Sequence, residues 1–314
     1  MRSWRYYRDL LVYYLTLLLL LLAAVRALRQ PIFWLAVALL WMLHQPVRTA
    51  FGFAHPWRHG SIHTAGLEDF KEVHFQSRDG LSLAALFTAS RNRGTIIVAH
   101  GLGSSGRDLT ILARLLVEEG FGVLLLDLRA HGNSQGDTST YGLKEGEDVA
   151  RAVEYLMSRI DVNGGKIGAY GLSLGAQAVL RGALLSQDIR ALLLEDLGPV
   201  CLSDHGGQPR SLLRWINLPF NWLYYQVYDW MAGGRQPGVL EVIGDLSPRP
   251  LFLIASGAQG VGFNRLFFQA AREPKEILEV PEARHAGALA ARPMEYIDRM
   301  ISFFKKSLDI QTGA

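Results

Sequence analysis

A G-x-S-x-G pentapeptide, GLSLG at residues 171–175, constrains the fold of this chain more than any other segment. The residues before it, KIGAY at 166–170, predict a short strand, and AQAVLRGALL at 176–185 predicts a helix. Between a strand and a helix, this pattern places its serine on a sharp, strained turn with an exposed hydroxyl, and the N-terminus of the helix points at it. The flanking glycines let neighbouring backbone pass without a side-chain clash. The pattern therefore predicts that Ser173 is an accessible nucleophile.

The N-terminal segment is more apolar than the rest of the chain. The 314 residues are 49% hydrophobic and 19% charged, and the apolar excess lies at the N-terminus. Residues 10–25 are nearly all apolar, and a second apolar run at 32–43 follows Pro31. Arginines flank the first run at both ends: Arg2, Arg5, Arg8, Arg26 and Arg29. Because about 20 apolar residues span a bilayer, we predict a membrane anchor over residues 1–55, formed by one transmembrane helix or by a hairpin.

Alternatives to an uncleaved anchor are a cleaved signal peptide and a buried soluble hairpin. The side of the membrane is left open by the sequence. One span with the basic N-terminus inside would place the rest of the chain outside, whereas a hairpin would return it to the cytoplasm. Arg48 and Arg58 favour the hairpin.

Charge and cysteine content exclude several classes of protein. The net charge is +3, and the arginines form no basic run or RNA-binding motif, so nucleic acid is not an expected partner. The single cysteine, Cys201, excludes an intrachain disulfide and any multi-cysteine metal site. We expect no metal and no organic cofactor.

Strand-like and helix-like patterns alternate after Trp57. Predicted strands lie at 71–77, 81–89, 95–99, 123–127, 166–170, 191–194, 251–255 and 277–280. Predicted helices lie at 109–119, 143–159, 174–185, 264–271 and 293–308. An opening hairpin followed by such alternation is typical of an α/β fold. We therefore predict one domain over residues 56–314, built on a mainly parallel eight-stranded sheet flanked by helices.

Two further motifs follow predicted strands. The turn HGLGS at residues 100–104 can direct a backbone N–H at a developing oxyanion, and we assign this role to the amide of Leu102, with the amide of Leu174 as the second donor. His285 lies in the segment PEARHAG at 281–287, directly after the last predicted strand. A histidine in this place can reach over the serine turn and accept the proton of Ser173.

Together these motifs resemble those of the α/β-hydrolase superfamily over about residues 72–308. The resemblance rests on HGLGSS at 100–105, DLRAHGNS at 127–134, GLSLG and the histidine of EARHAG. It implies an α/β-hydrolase fold with a helical cap inserted at about residues 198–244, and it specifies no substrate. The DLRAHGNS residues are expected to hold the loop beside the site rather than to act in chemistry. The aromatic residues of the cap suit core packing, an acyl pocket or a membrane interface.

One departure from the family pattern concerns the acid of the triad. Family members commonly carry it after the seventh strand, where this chain has Gln259. Some members take the acid from the end of the sixth strand instead, where this chain has Glu195 and Asp196. Because successive strand residues point to opposite faces, at most one of the two is expected to face His285, and the sequence does not choose between them.

The resulting prediction is a membrane-anchored serine hydrolase that cleaves a carboxylic ester or thioester through an acyl-enzyme on Ser173, with His285 as general base. Its expected partners are a small-molecule ester or acyl substrate and a lipid membrane. A peptidase or amidase using the same groups is one alternative. The other is a protein that has lost catalysis and keeps the fold as a binding or scaffolding module, for which Gln259 is the main argument.

Overall fold

The computed structural model describes residues 4–23, 31–58, 66–206 and 212–310. Its strands are β1 Lys71–Gln76, β2 Ser82–Thr88, β3 Thr95–Ala99, β4 Gly122–Leu126, β5 Ile167–Leu172, β6 Ile189–Glu195, β7 Leu251–Ser256 and β8 Lys275–Val280. Its α-helices are α1 Trp4–Ala23, α2 Pro31–Ala54, α3 Thr110–Glu118, α4 Leu143–Met157, α5 Leu174–Leu185, α6 Leu212–Ala232, α7 Val239–Val242, α8 Gly257–Ala270, α9 Ala288–Ala291 and α10 Pro293–Ser307.

The eight strands form one sheet in the order β1-β2-β4-β3-β5-β6-β7-β8. The pairs β1–β2 and β2–β4 are antiparallel, and all pairings from β4 to β8 are parallel. The predicted eight-stranded sheet with flanking helices is confirmed, and the sheet is mixed because β2 runs against both of its neighbours. Strand β4 lies on one side of β3 and β5 lies on the other. The turns after β3 and β5 therefore lie side by side at the carboxyl edge of the sheet, where α/β folds bind ligands.

Helices cover both faces of the sheet, and each face has its own hydrophobic core. On one face the sheet packs against α4, α5 and α8 through residues such as Val153, Val179 and Phe267. On the other face it packs against α3 and α10 through residues such as Leu116 and Phe304. Strands β3 and β4 are buried along their whole length, which explains why their sequences are continuous apolar runs rather than alternating ones.

The segment between β6 and β7 carries α6, which packs against the second half of α2. Ala50 and Ala54 of α2 form a small buried cluster with Tyr228 and Ala232 of α6. The backbone continues this contact, since the Ser139 N–H donates a 2.7 Å hydrogen bond to the carbonyl of Ala54. The C-terminal half of α2 is therefore part of the globular body.

The structure does not support the predicted membrane-spanning helix or hairpin in residues 1–55. Within the described ranges, no helix is both long enough and apolar enough to cross a membrane. Helix α1 begins with charged residues that include Arg5, Arg8 and Asp9, and the apolar run of α2 stops before His44, whereas a span needs about 20 predominantly apolar residues. Residues 24–30, with the end of the first apolar run, lie outside the described residues, as do residues 1–3.

Helix α8 differs from its prediction at its N-terminal end. The predicted helix starts at residue 264, but α8 starts at Gly257, immediately after β7. Gly257 has a φ of 69°, a left-handed conformation that glycine adopts without steric cost. The strand thus turns into the helix without an intervening loop.

Candidate active site

Ser173 occupies the junction between β5 and α5. Its φ of 53° and ψ of −107° are strained for a residue with a side chain, and its N–H donates a 2.8 Å hydrogen bond to the Glu195 carbonyl on β6. The turn is tight enough to require its glycines. A Cβ at Gly175 would lie 2.1 Å from the carbonyl oxygen of Ala99, and one at Gly171 would lie 2.3 Å from the carbonyl oxygen of Gly175. The local sequence therefore places a half-buried serine at the sheet edge.

His285 lies in the loop between β8 and α9, beside the serine. Its Nε2 atom is 3.0 Å from Ser173 Oγ, and its side chain is 63% exposed. With the proton on Nδ1, the Nε2 atom accepts the serine O–H, which is the arrangement that a general base requires. The loops after β5 and β8 thus bring together two residues that are 112 positions apart.

Asp196 follows β6 and approaches the other ring nitrogen of the histidine. Its Oδ2 atom is 3.5 Å from His285 Nδ1. The N–H groups of Ser256 and Ala286 donate 2.6 Å hydrogen bonds to Oδ1 and Oδ2, and the Asp196 side chain is almost fully buried. These two donors offset the cost of burying a carboxylate charge. Because Ala286 follows His285 directly, the same carboxylate also anchors the loop that carries the histidine.

Glu195 points to the opposite side of the strand, as the pleat requires. Both Tyr170 and Tyr296 donate hydrogen bonds to its Oε2 atom, at 2.7 and 2.5 Å. Burial, and to a smaller degree the Asp196 charge, raises the pKa of Glu195 to about 7 although the two tyrosines act against the shift. Of the two predicted acids, Asp196 therefore approaches His285, and Glu195 lies beneath the site.

Gln259, at the usual position of the acid, is exposed on the first turn of α8. Helix α8 begins directly after β7, so this chain has no loop there from which an acid projects. The space beside that turn is occupied by Asp196, whose Oδ1 atom lies 3.6 Å from the place of a Cβ on Gly260. Gln259 therefore lies at the surface, and a carboxylate that approaches His285 comes from the end of β6 instead.

Two backbone amides lie beside the serine. The turn after β3 runs beside Ser173, since a Cβ on Gly101 would be 3.7 Å from the Ser173 Cβ. Leu174 is the first residue of α5, where backbone N–H groups carry partial positive charge. Among the described residues, the N–H groups of Leu102 and Leu174 donate to no protein acceptor. Both amides are available to an oxygen atom of a substrate.

Tyr141 is a site residue that the sequence reasoning missed. Its side chain lies beside Ser173, and burial raises its pKa. Its φ is 49°, again in the left-handed region. Its ring makes edge contacts with Phe53 of α2 and Tyr228 of α6. No motif marks this residue, because a long loop before α4 carries it to the serine.

The DLRAHGNS segment, residues 127–134, forms the loop beside the site and holds it in place through buried polar contacts. Asp127 accepts hydrogen bonds from the N–H groups of Gly106 and Asn133 at 2.7 and 2.8 Å. Burial lowers the pKa of His131 to about 3, so this histidine is neutral at physiological pH. Arg129 forms a buried ion pair with Asp148, at 2.6 Å. These contacts fit the structural role expected for the segment.

The described ranges contain no group of three or more histidine, cysteine, aspartate or glutamate side chains arranged to hold a metal ion. Cys201 is buried, and its Sγ atom lies 2.9 Å from Ser203 Oγ. Neither feature connects with the serine.

Comparisons with known proteins agree with the fold described above. A family model described as Alpha/beta hydrolase family matches residues 96–299. The uncharacterized protein YfhR of Escherichia coli O157:H7 is 27% identical over 251 residues, which cover 77% of this chain and 82% of YfhR. The uncharacterized protein YqkD of Bacillus subtilis is 35% identical over 202 residues, 61% of this chain and 65% of YqkD. The solved structure of the Pyrococcus furiosus esterase Pf2001 has the same fold, with a TM-score of 0.64 and 23% identity over 82% of this chain and all of that chain.

Proposed function

Because the chain belongs to the alpha/beta hydrolase family, we propose that it is a serine hydrolase that cleaves carboxylic esters or thioesters through an acyl-enzyme on Ser173. One observation carries the proposal. The Ser173 Oγ atom lies 3.0 Å from His285 Nε2, while Asp196 approaches the other nitrogen of the same ring. Nucleophile, base and orienting acid are thus in contact in the order that nucleophilic acyl transfer requires.

In the acylation step, Ser173 Oγ forms a bond to the carbonyl carbon of the ester, and its proton passes to His285 Nε2. The electron pair of the carbonyl double bond moves to the oxygen atom, which accepts hydrogen bonds from the amides of Leu102 and Leu174. When this intermediate collapses, the bond to the leaving group breaks. The departing alkoxide or thiolate takes the proton from Nε2.

Deacylation repeats the sequence with water as the nucleophile. His285 Nε2 accepts a proton from water while the water oxygen bonds to the acyl carbon. Collapse of the second intermediate breaks the bond to Ser173 Oγ, which recovers its proton from the imidazolium. The products are a carboxylic acid and the free serine.

Asp196 contributes orientation and charge rather than proton transfer. Its carboxylate favours the ring tautomer with the proton on Nδ1 and stabilises the imidazolium that forms when Ser173 reacts. The 3.5 Å distance to Nδ1 is long for a hydrogen bond, and such contacts often shorten when substrate binds. The amides of Ser256 and Ala286 keep the carboxylate in place during this change.

The test is covalent labelling of the purified protein with a fluorophosphonate probe, beside hydrolysis of p-nitrophenyl acetate. We expect labelling and hydrolysis by the wild type, and loss of both in Ser173→Ala. The control is Ser158→Ala, at an exposed serine that follows α4. A folded wild type that is neither labelled nor active would overturn the proposal and favour a binding module.

A further inference from the structure

The helices α1 and α2 run antiparallel and enclose a groove that begins at the candidate active site. At one end, Tyr6 of α1 contacts His55, just after α2, with ring centroids 5.5 Å apart. Further along, Tyr13 and Tyr14 contact His44 at 5.4 and 5.5 Å. Between these contacts, and again beyond the tyrosines, the helices are separated by open space.

This space consists of two cavities, which are separated by the contact between Tyr14 and His44, whose Oη and Nε2 atoms lie 3.1 Å apart. The nearer one, of about 360 Å³, is bounded by Leu102, by Tyr6 and by Gln45, Arg48, Thr49 and Gly52 of α2. The farther one, of about 330 Å³, is bounded by Leu17 and Leu21 of α1 and by Val37, Leu40 and Trp41 of α2. The nearer cavity therefore shares Leu102 with the oxyanion turn, and the farther one is lined almost entirely by apolar side chains.

Both cavities follow one face of α2. The residues that line them recur every three or four positions from Val37 to Gly52, which places them in a single stripe. At 1.5 Å per residue, the stripe is about 22 Å long, comparable with an extended long acyl chain. Its polarity is graded, since Gln45 and Arg48 line the cavity that Leu102 borders, and the leucine-rich cavity lies farther along the two helices.

The order of the strands indicates which part of an ester enters this groove. The leaving group takes its proton from His285, which comes from the loop after β8, on one side of Ser173. Leu102 comes from the turn after β3, on the other side of β5. An ester whose leaving group faces His285 therefore extends its acyl part towards Leu102 and the nearer cavity.

We propose that the groove between α1 and α2 binds the acyl chain of a long-chain ester whose carbonyl carbon lies at Ser173, and that a chain long enough to enter the farther cavity displaces the contact between Tyr14 and His44. This inference rests on the proposed ester hydrolysis and assigns its substrate class. A methylene group moved from water into such a groove strengthens binding about fourfold. The selectivity constant kcat/KM is thus expected to rise along a series of esters until the chain fills the groove.

The experiment measures kcat/KM of the full chain for p-nitrophenyl acetate, butyrate, octanoate and palmitate. Val37→Trp fills the far cavity, and Gly52→Leu fills the near one, where a Cβ on Gly52 has no heavy atom within 4 Å. The matched control is Leu39→Trp, on the same helix at an exposed position outside both cavities. Thermal unfolding of each variant verifies folding.

We expect Val37→Trp to lower the palmitate-to-acetate ratio of kcat/KM at least about tenfold, in line with the loss of a few methylene contacts. Gly52→Leu should lower the octanoate-to-acetate ratio as well, and Leu39→Trp should leave both ratios at the wild-type value. Equal ratios in the wild type and Val37→Trp, with acetate still cleaved, would overturn the groove and leave the proposed function standing. No labelling and no cleavage of any ester would overturn both the groove assignment and the proposed function.

A second substrate series assigns the chain to the acyl side. Hexadecyl acetate carries its long chain on the alcohol, and we expect Val37→Trp to change its hydrolysis no more than that of ethyl acetate. A selective loss on hexadecyl acetate, with the palmitate-to-acetate ratio unchanged, would place the alcohol in the groove and overturn the acyl assignment.

Discussion

Two adjacent carboxylates at the end of β6 have different surroundings, although they differ by one position in the chain. Asp196 is held by two backbone amides and faces His285, whereas Glu195 is held by two tyrosine hydroxyls beneath the sheet edge. Their separation follows from the strand pleat, which directs successive side chains to opposite faces. A comparison of matched amide variants at the two positions distinguishes their roles.

Asp196→Asn is expected to reduce kcat for p-nitrophenyl acetate by about a thousandfold or more, because an amide neither stabilises the imidazolium nor enforces the required tautomer. Glu195→Gln is the control, since it keeps the shape and an acceptor for the tyrosines, and its kcat should remain within a few-fold of the wild type. Steady-state kinetics measure both. A larger loss in the Glu195 variant would contradict the assignment of the acid.

Glu195 also predicts a pH dependence of stability. Its pKa rises from an ordinary 4.5 to about 7 in the folded protein, so between these values the folded state binds more protons than the unfolded state. The free energy of unfolding then decreases as pH rises through this range. Glu195→Gln removes this titration. The Tm of the variant minus the Tm of the wild type should therefore be more positive at pH 8 than at pH 5. Differential scanning fluorimetry measures both values. A pH-independent difference would contradict this.

At the scale of the element, the turn between β5 and α5 depends on the close approach of α5 to the end of β3. Gly175→Ala introduces a Cβ 2.1 Å from a backbone oxygen, which cannot rotate away as a side chain can. We expect the free energy of unfolding to decrease by about 1–3 kcal/mol, measured by urea titration. Gly234→Ala is the control, because a Cβ there meets no heavy atom within 4 Å, and it should be neutral. Equal stability of the two variants would argue against this packing.

Element boundaries show where pattern reasoning succeeds and where it fails. The strands follow from continuous or alternating apolar residues, which depend on local burial. The start of α8 was predicted at residue 264 and lies at Gly257, because the segment GAQGVG at 257–262 contains three glycines, which weaken the helix pattern. The helix begins directly after β7, and the carboxylate that approaches His285 comes from the end of β6.

At the scale of the whole molecule, α2 connects the N-terminal segment with the serine. Its residues Ala50 and Ala54 pack on α6, its Phe53 contacts Tyr141, and Tyr141 lies beside Ser173. The N-terminal segment is thus in contact with the candidate site.

Ala50→Leu tests this connection, because Ala50 is fully buried against α6. Three added carbon atoms in a filled contact are expected to reduce the free energy of unfolding by about 1–3 kcal/mol and to slow ester hydrolysis through displacement of Tyr141. Ala38→Leu, at an exposed position of the same helix, should change neither quantity. Urea unfolding and ester kinetics provide both readouts, and an Ala50 variant that behaves like the Ala38 variant would refute the connection.

The sequence alone determined the features that depend on neighbouring residues. The strand, serine turn and helix around residue 173 follow from local geometry, and the eight strands follow from burial patterns. The sequence narrowed the acid to two candidates, Glu195 and Asp196, but the choice depends on which face of β6 each occupies, which the sheet sets. Tyr141 carries no motif, because a contact across the loop before α4 brings it to the serine.

The structure does not support the predicted membrane anchor, since no helix in the described ranges is both long enough and apolar enough to cross a membrane. Apolar composition shows that a helix avoids water, but it does not show whether a bilayer or another helix provides the apolar surroundings. The second half of α2 packs on α6, about 180 residues away in sequence. Only the tertiary structure decides such contacts, because their partners come together only when the sheet and its connections have formed.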